Sequence, residues 1–363
     1  MIPLFKVNIP KNIGLILQEV FDSGMITEGE YSDKFENEFT KYVQSNYSCL
    51  VNSGTSALTL AYICSNVKPG DEVISTPMTC MATNEPIHTL GAKIVWADID
   101  PKTGNIDPED VKKKITSKTK AIVGVHWAGM PFDIQAINDI AKQHGVKVIE
   151  DAAHALGAKY KGKLIGSHSD YVCFSFQAIK HLTTVDGGAI TCNSEEEYTR
   201  LKKLRWFGLD RKFKGSKWTQ DITESGYKFH MNNVNAAIGL EQLKTIQSVI
   251  DAHKKNHKYY DEHISNSKIK KMLQSPDSES SCWIYTVLTP NREELQKYLL
   301  EKGIASDVVH VRNDTYSVFK EFVAPLNSLK GCDEFCSQHL NIPVGWWLTD
   351  EQKKYIVDVI NSY

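Results

Sequence analysis

Three short segments carry residue types that do covalent chemistry when they meet. Lys180 lies five residues after Ser175 in the run Cys173-Phe174-Ser175-Phe176-Gln177-Ala178-Ile179-Lys180-His181. A lysine becomes a nucleophile, able to form a Schiff base, when its surroundings lower its pKa. Asp151 ends the apolar run Val148-Ile149-Glu150-Asp151. Ligands of open α/β sheets sit at strand C-termini, and a carboxylate there can hold a protonated pyridine nitrogen. Gly54, Thr55 and Ser56 follow the strand-like run Cys49-Leu50-Val51 and open a helix at Ala57. Unpaired amides at a helix start, with hydroxyls beside them, bind phosphate. Taken singly, each segment has an ordinary explanation: a helix cap, a strand-end carboxylate, one of 42 basic residues. In chain order they supply a phosphate anchor, a pyridinium partner and an imine-forming amine. Pyridoxal 5'-phosphate requires all three.

The framework that carries these residues is set by the apolar pattern. Apolar runs at 49–51, 72–75, 93–97, 121–125 and 146–149 read as strands, separated by amphipathic helical stretches such as 108–115 and 134–141. That alternation means a mostly parallel sheet covered on both faces. Strands at 171–176 and 188–192 are closely spaced and suggest an antiparallel or edge contribution. A helix is expected at 194–206, an irregular polar stretch at 208–230, and one long helix through Val234, Ala237, Leu240, Leu243 and Ile246. Beyond it, strand 283–288, helix 293–302 and a terminal helix 350–360 make a smaller C-terminal α+β part. The expected division is a large domain over 1–245 and a small one over 246–363.

The totals exclude other classes. The chain has 363 residues, 42 basic against 44 acidic, and a net charge of −2. Neither sign dominates, so the total charge gives no support for nucleic-acid or membrane-surface partners. No apolar run reaches 18 residues, and the start is broken by Pro3, Lys6, Asn8 and Pro10, unlike a signal peptide. The eight cysteines form no Cys-x-x-Cys pair, so neither a disulfide framework nor a zinc knuckle is expected, and a reducing cytoplasm is the default location. No metal site is expected. A nicotinamide dehydrogenase would need Gly-x-Gly-x-x-Gly after its first strand, and none is present.

The chain resembles the DegT/DnrJ/EryC1/StrS family of nucleotide-sugar aminotransferases nearly end to end. Ser23-Gly24-Met25-Ile26-Thr27-Glu28-Gly29 is similar to its N-terminal loop, and Ser53-Gly54-Thr55-Ser56-Ala57-Leu58 to its phosphate turn. Pro69-Gly70-Asp71-Glu72-Val73-Ile74 comes after it, then Glu150-Asp151-Ala152-Ala153-His154-Ala155. Ser175-Phe176 with Lys180 and Gly187-Gly188 is next, and the tail Ile342-Pro343 to Leu348-Thr349 closes the pattern. Six motifs in order are specific where one is weak.

The resemblance implies a fold type I aminotransferase, a homodimer with shared active sites, L-glutamate as amino donor and a nucleotide-diphosphate keto sugar as acceptor. It implies that Lys180 carries the cofactor and shuttles the proton, that Asp151 pairs with the pyridine nitrogen, and that Thr55, Ser56 and Ser175 hold the phosphate. His154 would stand near the oxygen side of the ring, and the pyridoxamine form would be the half-way state. Cys80 stands where many members place an aromatic residue over the ring. Lys228 stands where many have an asparagine that reaches the partner subunit's phosphate, and Val185-Asp186 replaces the commoner Gly-Glu. A related dehydratase branch has histidine in place of the lysine. Ser175 five residues earlier assigns the lysine position to Lys180 rather than His181, which favours transamination over 3-dehydration.

Substrate residues are less constrained. His310, Arg312 and Tyr316 gather a second ring, a cation and an aromatic on one loop that could grip a diphosphate or a sugar. Thr27, Glu28, Trp206 and His126 are comparable candidates. Family analogy favours a 4-keto-6-deoxy sugar aminated to a viosamine- or perosamine-type product, with a 3-keto sugar as the alternative. A non-catalytic cofactor-binding regulator is the reading from a different class.

Overall fold

The alternating runs become strands whose successive side chains enter opposite faces of one sheet. The structure, a computed structural model, describes residues 1–325 and 327–363, and of Lys217 the backbone. The strands in chain order are β1 (Tyr47–Val51), β2 (Glu72–Ser75), β3 (Lys93–Trp96), β4 (Thr119–Val125) and β5 (Lys147–Asp151). The short β6 (Lys159–Tyr160) and β7 (Lys163–Leu164) precede β8 (Tyr171–Ser175) and β9 (Gly188–Cys192). Seven of these form the central sheet in the order β1-β9-β8-β5-β4-β2-β3. All its neighbours run parallel except β9, which is antiparallel to both β1 and β8.

Period-two alternation covers both faces. Leu50, Ile74, Ile122, Val148, Val172 and Phe174 enter one core with Phe35, Phe39 and Phe132. Cys49, Val51, Val73, Val123, Ile149 and Cys173 enter the other with Tyr62, Trp96 and Trp127. A sheet buried on both sides is what near-continuous apolar strands require.

The same order fixes where chemistry can occur. Because the other strands run parallel, β1, β5 and β8 all end at one edge, and antiparallel β9 begins there. Register places Val51 and Ser175 opposite Gly188, and Val125 and Cys173 opposite Asp151. Thus the phosphate-type turn, Asp151 and the Ser175–Lys180 segment emerge side by side.

Four further strands complete the chain: β10 (Lys270–Lys271), β11 (Ser278–Glu279), β12 (Tyr285–Leu288) and β13 (His339–Ile342). A small sheet β10-β12-β13 packs with the helices Arg292–Glu301 and Asp350–Ser362 into a third core. The terminal helix opens with a capping box, Thr349 and Gln352 satisfying each other's end of the first turn. Ile2 also enters this core, through a bridge to Ile304.

The long helix expected through Ile246 is two helices, Asn233–Leu243 and Ile246–His263. The break at Lys244-Thr245 lets Ala236 on the first and Ile246, Val249 and Ile250 on the second reach the same core. The second helix then runs on to place Tyr260 in the C-terminal core. The helix Met81–Thr89 was not legible, because Pro86 and a run of Thr and Asn interrupt its apolar pattern. Among the described residues no helix is long and apolar enough to cross a membrane.

Candidate active site

Each motif's local structure is set by its end of the sheet. After β1 the chain turns into the helix Gly54–Cys64. Ser53 caps it, its hydroxyl accepting from the Ser56 amide at 3.0 Å. Ser56 is buried and spends its own hydroxyl on Asn52 at 2.7 Å. Gly54 and Thr55 are left facing the space above the sheet edge. Gly54 must be glycine, because a Cβ there would lie 2.9 Å from that of Ser175. Helix start and strand end therefore close into one cradle.

That cradle is one wall of a cavity of about 360 Å³. Ser53, Gly54, Thr55, Ser175 and Gln177 line one end. Asp151, His154, Lys180, Trp283, Thr79, Cys80, His310 and Asp186 line the same cavity. The structure thus brings Gly54, Thr55, Cys80, Asp151, His154, Ser175, Lys180 and His310 together.

The electrostatics are those of buried, incompletely paired groups. No carboxylate forms an ion pair with Lys180 among the described residues, and its Nζ rests 3.9 Å from the centre of the Trp283 ring. Burial pushes its pKa down to about 8, against the opposing pull of Cys80 and Asp151. Asp151 accepts from the Thr83 hydroxyl at 2.6 Å and from the Ala153 amide at 3.1 Å. Burial raises its pKa, and those hydrogen bonds and Lys180 resist the rise. Thr79 in turn bonds Thr83 at 2.7 Å, so the carboxylate is aimed by a chain of hydroxyls.

His154 lies parallel to Trp283 with ring centres 3.9 Å apart and meets His310 Nε2 to Nε2 at 3.3 Å. Burial, Lys180 and His310 hold His154 neutral, and burial with Lys180 lowers His310 to about 3. His154 Nδ1 is buried without a partner. An orphaned buried nitrogen beside a polar cavity is a place for a ligand's hydrogen bond.

Other candidates lie elsewhere. Arg312 does not reach the cavity: its guanidinium forks onto Asp314 at 2.6 and 2.7 Å and also bonds Asp333. Tyr316 points outward and is exposed. Thr27 holds the Asn233 amide with its carbonyl, and Glu28 pairs with Arg205 at 2.6 Å and with Arg211. Lys228 is 3.7 Å above the Trp206 ring, which Arg211 also approaches. Neither Lys228 nor Trp206 lines the cavity of its own chain. His126 is buried and does not line the cavity, being bonded to Glu150 at 3.0 Å and stacked on Phe132.

Sequence reasoning missed Thr79, Thr83 and Trp283. The two threonines sit four residues apart at the start of the helix hidden by Pro86, and that spacing was the available signal. Trp283 gave none, because its role depends on a turn from the distant C-terminal part.

The residues present fit pyridoxal phosphate. The cradle is too close for a Cβ at Gly54, Thr55 and Ser175 offer hydroxyls, Asp151 is a buried carboxylate, and Lys180 is a partly deprotonated amine near neutral pH. Comparisons with known proteins agree. The sequence pattern of the DegT/DnrJ/EryC1/StrS aminotransferase family matches residues 8–361. GDP-perosamine synthase of Escherichia coli O157:H7 is 33% identical over 368 residues, covering 100% of this chain and 98% of that protein. The crystal structure of the sugar aminotransferase CalS13 from Micromonospora echinospora superposes with a TM-score of 0.95 at 33% identity, over 100% of both chains. Spr1654 from Streptococcus pneumoniae, solved in its PLP form, gives 0.93 at 28% identity over 99% of this chain and 98% of that one.

Proposed function

From the premise that this chain belongs to the DegT/DnrJ/EryC1/StrS aminotransferase family, we propose that it moves the amino group of L-glutamate to C4 of a nucleotide-linked 4-keto-6-deoxy sugar. Membership makes it an enzyme, a pyridoxal phosphate-dependent aminotransferase of nucleotide sugars. The donor, the 4-keto position and the 4-amino-4,6-dideoxy product are our reading. The observation that carries it is Lys180, an amine without an ion-pair partner among the described residues, in one cavity with Asp151, Gly54 and Thr55.

Bound pyridoxal phosphate would supply the electrophilic carbon and the sink for the electron pair left when a substrate Cα loses its proton. The chain's own groups do the rest. Gly54, Thr55 and Ser175 would hold the phosphate at the helix start. Asp151, fixed by Thr83 and the Ala153 amide, would keep a proton on the pyridine nitrogen. Lys180 would anchor the group and, once released, would take the Cα proton of glutamate in the first half-reaction and deliver a proton to C4 of the acceptor sugar in the second. With its pKa near 8, a useful fraction is neutral at physiological pH.

His181, the residue that could stand for the histidine of a dehydratase, is buried against His253 with ring centres 4.5 Å apart and does not line the cavity. That favours transamination over 3-dehydration. We further propose a cofactor domain over 1–245, a small domain over 246–363, and a homodimer. Exposed apolar residues Leu15, Phe21, Met25 and Ile26 support the dimer, as does the position of Lys228 outside its own chain's cavity.

The test is incubation with glutamate and UDP-, dTDP- and GDP-linked 4-keto and 3-keto sugars, read by mass spectrometry and NMR. One nucleotide sugar should gain an amine at C4. Amination at C3, or loss of the C3 hydroxyl, would replace the proposal with one of its alternatives.

A further inference from the structure

A shuttling lysine must detach, carry a proton and stay within reach while its amine is free. Flexible lysine stems do not do this unaided, since four rotatable bonds offer many wrong positions. Lys180 Nζ sits 3.9 Å from the centre of the Trp283 indole, without an ion-pair partner.

Trp283 is itself rigidly held. Its indole N–H donates to the carbonyl of Ile179, the residue immediately before Lys180, at 3.0 Å. The ring packs on His154 at 3.9 Å and on Phe5 at 5.2 Å. Its main-chain amide donates to Ala128 at 3.0 Å, and the Ser281 amide donates to Gly129 at 3.1 Å. Between them Cys282 has a φ of 57°, a left-handed conformation that costs a non-glycine residue energy and recurs at functional sites. One side chain therefore touches both the carbonyl that precedes Lys180 and the head group of that lysine. Among aromatic side chains a tryptophan face holds an ammonium most strongly.

We propose that Trp283 is a positioning residue that docks the free amine of Lys180 on its ring between the two halves of the reaction. The proposal rests on the reading of Lys180 as the reactive lysine. The other titratable groups facing that amine are Asp151, Asp186, Cys80, His154, His310 and His181. Of these, His154 stacks on Trp283, and Trp283→Phe keeps an aromatic ring beside it.

The experiment compares wild type, Trp283→Phe and Trp283→Leu. Holoenzyme is stripped of cofactor, then pyridoxal phosphate and borohydride are added across a pH series, and the reduced adduct is quantified by peptide mass mapping. Removing the ring face lowers the midpoint for Lys180 by about one pH unit in the leucine variant and by less in the phenylalanine variant. In single turnovers of holoenzyme with glutamate, the leucine variant slows by roughly tenfold at unchanged KM, and phenylalanine partly restores the rate. Equal midpoints in all three proteins, or a rise in KM at unchanged rate, overturns the docking role. If the leucine variant does not fold, the phenylalanine variant alone decides by the same midpoint and rate. A wild-type adduct on a different lysine overturns the assignment of Lys180 instead, so the two failures are told apart.

Discussion

The cofactor cavity and the pocket around Glu28 are both charged hollows, about 360 and 260 Å³ in volume, and they treat charge in opposite ways. Around Glu28 every buried charge has a partner. Arg205 bonds Glu28 at 2.6 Å and Glu36 at 3.3 Å, and Glu36 also takes Lys202 at 2.8 Å, the Tyr198 hydroxyl at 2.8 Å and the Leu50 amide at 3.0 Å. In the cavity, among the described residues, Lys180 has no carboxylate partner, Asp151 has only neutral donors, and His154 keeps an orphaned nitrogen. A completed network holds the fold together and leaves little to offer a ligand. Incomplete pairing costs stability locally, and a cofactor that restores the missing partners is bound by that deficit. The motif loop of Glu28 and the motif turn of Gly54 look equally functional in sequence. Within one chain their surroundings assign them different tasks.

Substitutions can break this contrast in order of size. Lys180→Ala should lower turnover by roughly 10⁴-fold, the upper range for losing a positioned proton-transfer group, while thermal unfolding shifts little. An active variant, measured by product formation, would sink the assignment. Arg205→Met should do the reverse. It strands Glu36 beside Lys202 alone, so urea unfolding should show a loss of about 3–5 kcal/mol with cofactor absorbance retained in the folded fraction.

The same network sets an acid limb. Burial pushes Glu36 up, but Arg205, Lys202 and the Leu50 amide pull it below the usual carboxylate range. Its stabilisation is therefore complete above the unfolded value of about 4.3 and is lost as pH falls through the lower folded value. Unfolding of Arg205→Met should lose part of that acid dependence. The smallest effect is expected from Thr83→Val, which removes the hydroxyl that aims Asp151. Cofactor affinity should fall by about tenfold in absorbance titrations of apoenzyme, with stability little changed.

Much of this site is legible in the sequence because strand direction is legible. Short apolar runs alternating with helices force parallel strands, and parallel strands put Val51, Asp151 and Ser175 at one edge. The residues just past each strand, a capped turn, a carboxylate or a lysine, must then meet. Arg312 was not legible in this way. Its partners are Asp314, two residues on, and Asp333 on another helix, and a long cation's choice among carboxylates is settled by packing. Ser56 shows the finer limit: the hydroxyl is in the right turn but is turned inward onto the Asn52 side chain.

Periodicity and chain order were enough to specify the sheet, the edge at which chemistry occurs and the trio of Thr55, Asp151 and Lys180, because both are local properties of the chain. Packing of the whole chain settled which charges stay unpaired, that Thr79 and Thr83 stand behind Asp151, and that Trp283 comes from the distant C-terminal part to lie against Lys180. These are contacts between segments far apart in the chain, and no local pattern encodes the approach of one to another.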